Sequence, residues 1–218
     1  ENGAIVLSCA PRYSRTTAFS DHDCKLRSGT DIAFVNGMIN YALRNDRIQH
    51  EYVRHYTNAT FLVNPDFGFA DGLFAGFDEA TRTYDKSTWV YELDAHGVPK
   101  RDMTMQHPRC VLQLMKKFFA RYDIDTVCSI TGSPKDVYQK ACDIFTSTWA
   151  PDRVGVWLYA MGTTQHSHGT QNIRSYAVLQ LLLGNVGLAG GGVNALRGES
   201  NVQGATDLGL DIVTLPLY

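Results

Sequence analysis

The stretch "RVGVWLYAMGTTQHSHGTQNIRSYAVLQLLLG", residues 153–184, decides the fold class. Its opening, "RVGVWLYA", is a short apolar run that reads as a buried strand, and "TQNIRSYAVLQLLLG" reads as a helix closed by Gly184. A polar loop, "MGTTQHSHGT", lies between them. The same order occurs near the other end of the chain. "AIVLSCA" (4–10) is a continuous apolar run of the kind found in strands buried on both faces of a parallel sheet. It ends at Pro11, and a polar loop then runs to Gly29. "TDIAFVNGMINYALRND" follows, with Ile32, Val35, Ile39 and Leu43 at helical spacing and Thr30 or Asp31 as N-cap. Strand, loop and helix occurring twice, with further helices between, predict an α/β domain: a Rossmann-like parallel sheet flanked by helices.

The middle of the chain fits this plan with one interruption. A second helix is expected through Tyr52 and Val53. Residues 57–105 are dense in Gly, Asp and aromatics and keep no long period, so they read as an irregular insertion with short strands, for example around "STWVYEL". Helical spacing returns in "RCVLQLMKKFFARY". "DIDTVCSITG" predicts a shorter helix ended by Gly132, and "SPKDVYQKACDIF" one with Ser133 as N-cap and Pro134 at its first position.

Bulk properties narrow the function classes. With 218 residues, 44% hydrophobic and 19% charged, the chain can bury a substantial core. A formal net charge of −2 gives no reason to expect nucleic acid or an acidic membrane surface as partner. "SYAVLQLLLG" is too short to span a bilayer, and no signal or transit segment is visible. The chain begins at Glu1 just ahead of a strand and stops at "TLPLY" with no closing helix, so it reads as an interior piece of something longer. Cys9, Cys24, Cys110, Cys128 and Cys142 are scattered without a C-x-x-C pair, which speaks for buried free thiols and against a disulfide framework, an iron–sulfur site or structural zinc.

In parallel sheets ligands bind beyond the carboxyl ends of the strands, where loops meet helix N-termini. That rule nominates the two loops already met, and the strand ends at residues 8–12 and 159–165 are expected side by side on one edge of one sheet. The first loop carries Arg12, Arg15, Lys25 and Arg27 ahead of a helix start, a set suited to phosphate or pyrophosphate, and Asp31 could accept from a purine amino group. Spacing alone leaves open a solvated loop whose arginines and aspartates pair with each other, since no G-x-G-x-x-G or Walker pattern is present. The second loop holds Gln165, His166 and His168; the H-x-H pair lacks a third ligand, so hydrogen-bonding histidines are the simpler reading than a metal pair. Met161 and Gly162 stand at its start, where glycine permits close backbone approach. A third segment, residues 184–204, spaces glycines at 184, 187, 190, 191, 192, 198 and 204 among Val, Leu and Asn. Flexible linkers lack such apolar anchors, so this reads as a loop wrapped around a bulky ligand, with one guanidinium, Arg197, inside it.

At these residues the sequence resembles the catalytic subunits of formate dehydrogenases, in the molybdopterin oxidoreductase (dimethyl sulfoxide reductase) superfamily. "PRYSRTTAFSD", "RSGTDIAFVNGMINY", "FGFADGLFAGFD" and "YAMGTTQHSHGTQNIRSYAVLQLLLGNVGLAGGGVNALRGESNVQG" carry the resemblance, in the family's order and over nearly the whole chain. It implies oxidation of formate to carbon dioxide at molybdenum or tungsten held by two molybdopterin guanine dinucleotides. It further implies that residues 1–198 are the dinucleotide-binding domain, with 57–105 inserted, and that 199–218 begin the next. Ser8, Cys9, Arg12, Gly29, Thr30 and Asp31 inherit the guanosine end of one dinucleotide. Met161, Gly162 and Gln165 inherit the strand-end motif that meets the cofactor, with His166 close by, and Arg197 inherits the arginine that orients formate near the metal. No metal ligand is assigned within the chain. The metal-ligating selenocysteine or cysteine and the cysteines of a [4Fe-4S] cluster lie upstream in the family, and Ala10 stands where many relatives have an acid. A partner iron–sulfur subunit and a periplasmic location are also implied. Two other readings stay open: a non-catalytic nucleotide-binding module, and a superfamily enzyme acting on nitrate or an N- or S-oxide.

Overall fold

The computed structural model describes residues 3–70 and 72–208. The chain opens with strand β1 (Leu7–Ala10), the one-turn helix α1 (Arg15–Ala18) and strand β2 (His22–Lys25). The main helix α2 (Asp31–Arg44) follows, then α3 (His50–Tyr56). Two small hairpins come next, β3 (Phe69–Ala70) with β4 (Leu73–Phe74) and β5 (Phe77–Asp78) with β6 (Thr83–Tyr84). Helices α4 (Val111–Phe119), α5 (Ile124–Thr131) and α6 (Lys135–Thr146) lead to strand β7 (Val156–Tyr159). The chain then forms α7 (Met161–Thr164), α8 (Gly169–Leu183), strand β8 (Gly192–Ala195) and α9 (Val202–Asp207). This is the expected α/β class with its irregular insertion.

The strands are organised differently from the expectation. Among the described residues, β1 pairs in parallel with β2, from Leu7↔His22 to Ala10↔Lys25, and β7 with β8, from Val156↔Gly192 to Tyr159↔Ala195. These are two separate two-stranded sheets, so β1 and β7 are not joined by a backbone ladder. Side chains join them instead. Cys9, Trp157 and Tyr159 all pack against one hydrophobic core built on α2 and α8.

Helix α2 is the centre of that core, with Phe34, Val35, Met38, Ile39, Ala42 and Leu43 all buried. Its mid-helix Gly37 lies against α5 and α6: a Cβ there would collide with the Tyr138 hydroxyl and fall 2.7 Å from Val127 Cγ2. The space left by the missing side chain admits Tyr138, which is fully buried and donates from its hydroxyl to the Phe34 carbonyl at 2.6 Å. Burial pushes that phenol well above its ordinary range, so it remains a donor.

A second set of buried polar groups fixes the start of β7 and β8. Gln180 on α8 donates to the carbonyls of Gly155 and Gly192, at 2.9 and 2.7 Å. Its own oxygen accepts from Asn185, whose Oδ1 accepts in turn from the Gly155 amide and whose Nδ2 also donates to Thr148 Oγ1. Helix ends follow the sequence in two places: Gly132 and Gly184 close α5 and α8 in the left-handed conformation, with φ of +74° at each. One cap is corrected. Pro134, not Ser133, is the N-cap of α6, because the Ser133 hydroxyl donates to the Lys25 carbonyl at 2.5 Å and ties α6 to β2. At α2, Thr30 is the N-cap, but its hydroxyl donates to the Arg27 carbonyl rather than capping the helix.

Gly37 gives a sharp test, because two effects of opposite sign compete there. Alanine in place of a helical glycine gains about 1 kcal/mol in propensity, whereas overpacking a close-packed site costs about 1–3 kcal/mol. Gly37→Ala is expected to lower stability in urea denaturation. Adding Tyr138→Phe should recover part of the loss, since it removes the colliding oxygen; strictly additive effects would show that the contact is not the cause.

Candidate functional site

The first loop runs from the end of β1 to the start of α2. Ser8 is buried and its hydroxyl pairs with Thr17 Oγ1 at 2.9 Å, so its side chain is already satisfied inside the fold. Cys9 is half-buried with its thiol in the core, where burial and then Cys24, Cys142 and Asp23 hold it protonated. Both residues therefore offer a ligand main-chain groups rather than side chains. Arg12 is exposed and lines an open groove of about 580 Å³ together with Tyr13, Ser14, Arg15, Thr16 and Ala18. Among the described residues no ion pair joins the arginines of this loop to its aspartates, and Asp21 accepts instead from the Val6 amide at 2.8 Å.

Arg27 does not share that groove. Its guanidinium donates to the carbonyls of Ser129 and Ile130, at 3.0 and 3.1 Å, and so satisfies the C-terminal end of α5. Gly29 has a φ of +83°, with nothing within 4 Å of where a Cβ would stand. Asp31 begins α2, half-buried, in the turn where the helix dipole favours a negative charge.

The second loop is partly helical, with α7 occupying its first turn. Met161, Gly162 and Gln165 are exposed and His166 is half-buried. His166 Nε2 lies 3.0 Å from the Gly162 carbonyl, and its ring sits 5.5 Å from that of His168. Among the described residues no group of three or more His, Cys, Asp or Glu could hold a metal. Space above Gly162 is open for 4 Å, whereas a Cβ on Gly169 would collide with the Thr164 carbonyl. Beside them a cleft of about 370 Å³ is lined by Thr164, Gly169, Thr170, Ile173, Arg174 and Ala177. Arg174 was not singled out from the sequence; its signal is an exposed cation, the one charged residue of α8.

The third segment contains β8 and then Arg197. The Leu196 amide donates to the Tyr159 carbonyl at 2.7 Å, continuing the β7–β8 ladder past its last paired residues. Arg197 is exposed and adopts a φ of +68°, unusual for a residue other than glycine. A Cβ on Gly198 would fall 2.5 Å from Met161 Cε, so this backbone lies directly on the Met161 side chain. The backbone beside Arg197 therefore lies against Met161, the first residue of the strand-end loop.

Tyr176 on α8, absent from the sequence candidates, links the two halves. It is 3% exposed, stacks on Trp157 with ring centroids 4.5 Å apart, and its hydroxyl lies 3.3 Å from Thr163 Oγ1. Burial raises its phenol to about 12, with Asp31, Cys9 and Tyr159 near enough to add to the effect. Tyr159 at the end of β7 lies beside the same ring, with centroids 6.0 Å apart. Among the described residues no helix is long and apolar enough to cross a membrane.

Comparison with known proteins gives a consistent picture. No family model matches the chain. It is 54% identical over 217 residues to the formate dehydrogenase-O major subunit of Escherichia coli (strain K12), covering 100% of this chain and 21% of that protein. Formate dehydrogenase subunit alpha of Megalodesulfovibrio gigas is 52% identical over 218 residues, 100% of this chain and 22% of that one. More distantly, an F420-dependent formate dehydrogenase subunit alpha of Methanocaldococcus jannaschii is 24% identical over 209 residues, 96% of this chain and 23% of that one. The chain thus spans about a fifth of the length of the curated relatives it matches. Among solved structures, acetylene hydratase from Pelobacter acetylenicus aligns over 85% of this chain and 18% of its own, with a TM-score of 0.53 and 18% identity, a likeness of fold.

The buried phenol at this junction has a consequence in alkali. A tyrosine in the unfolded chain ionises near 10, whereas Tyr176 holds its proton to about 12. The stability it contributes is fully present below pH 10 and is lost as pH rises towards 12. Tyr176→Phe should therefore flatten the fall in urea midpoint across that range, and equal slopes for the two proteins would show that the phenol is not buried.

Proposed function

We propose that this chain is part of the catalytic subunit of a formate dehydrogenase, the proteins to which it is about half identical along its whole length. In this reading residues 1–198 bind one of two molybdopterin guanine dinucleotides that hold molybdenum or tungsten, and 199–218 lead into a further domain; 209–218 lie outside the described residues. A [4Fe-4S] cluster elsewhere in the subunit, an electron-transferring iron–sulfur partner and a periplasmic location complete the proposal.

The fit to such a cofactor rests on the site itself. Arg12 and Arg15 line an open groove of about 580 Å³, with no carboxylate paired to either among the described residues. Gly29 and Gly162 both leave open space above their backbone, which would let a ligand approach the main chain. The guanosine end would be taken by Arg12, Gly29, Thr30, Asp31 and the main chain of Ser8 and Cys9, and the pterin side by Met161, Gly162, Gln165 and His166. The chemistry such a group supplies when bound is acceptance of two electrons.

The observation that carries the formate reading is the place of Arg197, an exposed residue just past β8 whose neighbours Leu196 and Gly198 lie against the end of β7 and the Met161 side chain. Formate offers two oxygens and one C–H bond. A guanidinium that grips both oxygens leaves the C–H bond pointing directly away from it, so binding and orientation are one act. Carbon dioxide carries no charge, so the same contact weakens once the product forms. A plain nucleotide-binding module has no use for such an arginine.

In the full-length enzyme, Arg197→Lys keeps the charge but loses the fork, and should raise the Michaelis constant while retaining partial activity. Arg197→Ala should lose on the order of a hundredfold in kcat/KM, about 3 kcal/mol, with metal and pterin content near wild type. Normal formate oxidation by a fully loaded alanine variant would remove Arg197 from the reaction. The guanosine assignment is tested separately: Asp31→Asn replaces a charged acceptor by an amide and should lower cofactor retention after purification, and undiminished retention would refute it.

A further inference from the structure

Arg197 has a left-handed backbone, a conformation that is costly for a side-chain-bearing residue and persists only where its surroundings hold it. Two contacts do so, one on each flank. On one side the Leu196 amide is bonded to the Tyr159 carbonyl at 2.7 Å. On the other, Gly198 rests on the thioether of Met161, with a Cβ position only 2.5 Å from Cε and 2.8 Å from Sδ. The thioether is itself held in place, since Gln165 Nε2 lies 3.8 Å from Met161 Sδ and the Gln165 amide donates to the Met161 carbonyl at 2.9 Å. Met161 is 43% exposed, so its side chain is not a core anchor.

From this arrangement we infer that Met161 is a positioning residue for Arg197: its side chain is the floor on which the arginine's loop is set. The inference rests on the reading of Arg197 as the formate-binding group and assigns Met161 a task beyond contact with a cofactor. The residue types suit it. A thioether is long, polarisable and unbranched, and it can lie flat under a backbone that presents no side chain. Gly198 supplies that bare backbone, and the adjoining hydrogen bond sets the height of the strand end. Removing the floor lets the left-handed residue relax, and the guanidinium loses its fixed bearing on the substrate. Misplacing a binding group by even a small distance is costly where few contacts hold the ligand.

The test uses the full-length enzyme and two kinds of measurement. Met161→Ala and Gly198→Ala disturb the contact from either side, whereas Met161→Leu keeps most of its volume. Hydrogen exchange of the peptide spanning residues 196–198 should speed up several-fold in the first two variants and stay near wild type in the third. The Michaelis constant for formate should rise on the order of tenfold in the same two variants, with kcat changed much less. Met161→Ala should add little further loss on an Arg197→Ala background. Unchanged exchange and unchanged Michaelis constant in both disturbing variants, while Arg197→Ala still impairs formate oxidation, would overturn the inference and leave the formate reading intact. Faster exchange, with no kinetic effect of either Met161→Ala or Arg197→Ala, would uphold the mechanical contact and overturn the formate reading.

Discussion

The contact between Gly37 and Tyr138 is the constraint on which the rest of the arrangement depends. A helix packed by neighbours along much of its length needs one place where a second helix can come very close, and the missing side chain of Gly37 provides it. Tyr138 enters that space and bonds to a carbonyl of the same helix. With α6 held there, Ser133 at its start reaches the Lys25 carbonyl and sets β2, and β2 in turn sets β1 through their parallel ladder. The first strand end and the N-terminus of α2, where Asp31 stands, are thus positioned from the same point.

The second half is fixed by a different device. Gln180 and Asn185 are both fully buried, and the carbonyls and amide they bind belong to Gly155, just before β7, and Gly192, the first residue of β8. Each such polar group would cost about 1–3 kcal/mol if left without a partner. The pair therefore selects one register between the two strands. Register matters here because it determines how far past the sheet the chain has travelled when it reaches Arg197.

Much of this was legible in the sequence, and the failures have physical causes. The β1 and β7 runs, the main helices and the two glycine-terminated helices stand out because they are long, periodic or closed by a left-handed residue. Strand β2 was hidden in a stretch read as loop: "HDCK" has a single fully buried residue, Cys24, and its partner lies across a crossover that no local pattern reveals. Strand β8 was hidden among glycines, one of which, Gly192, enters the strand with a φ of +94°. The insertion was recognised, but "STWVYEL" makes only isolated bridges, Val63↔Tyr91 and Leu93↔Pro99, rather than a strand. Of the candidate side chains, Ser8 and Cys9 turned inward, which spacing cannot foretell because a four-residue strand leaves its facing ambiguous. Tyr176 was missed because a tyrosine on a largely apolar helix looks like ordinary core; only its place between Trp157, Tyr159 and Thr163 sets it apart.

The absence of a ladder between β1 and β7 has a further effect. Where strands are hydrogen-bonded, the separation of their ends is a fixed property of the backbone and is the same in every protein. Here it is a property of side chains, among them the stacked rings of Tyr176 and Trp157. The gauge between the two loops can therefore change by substitution of a ring, with every backbone hydrogen bond left in place. Such a joint lets a lineage widen or narrow the mouth of a site gradually, one residue at a time, without refashioning the sheets on either side.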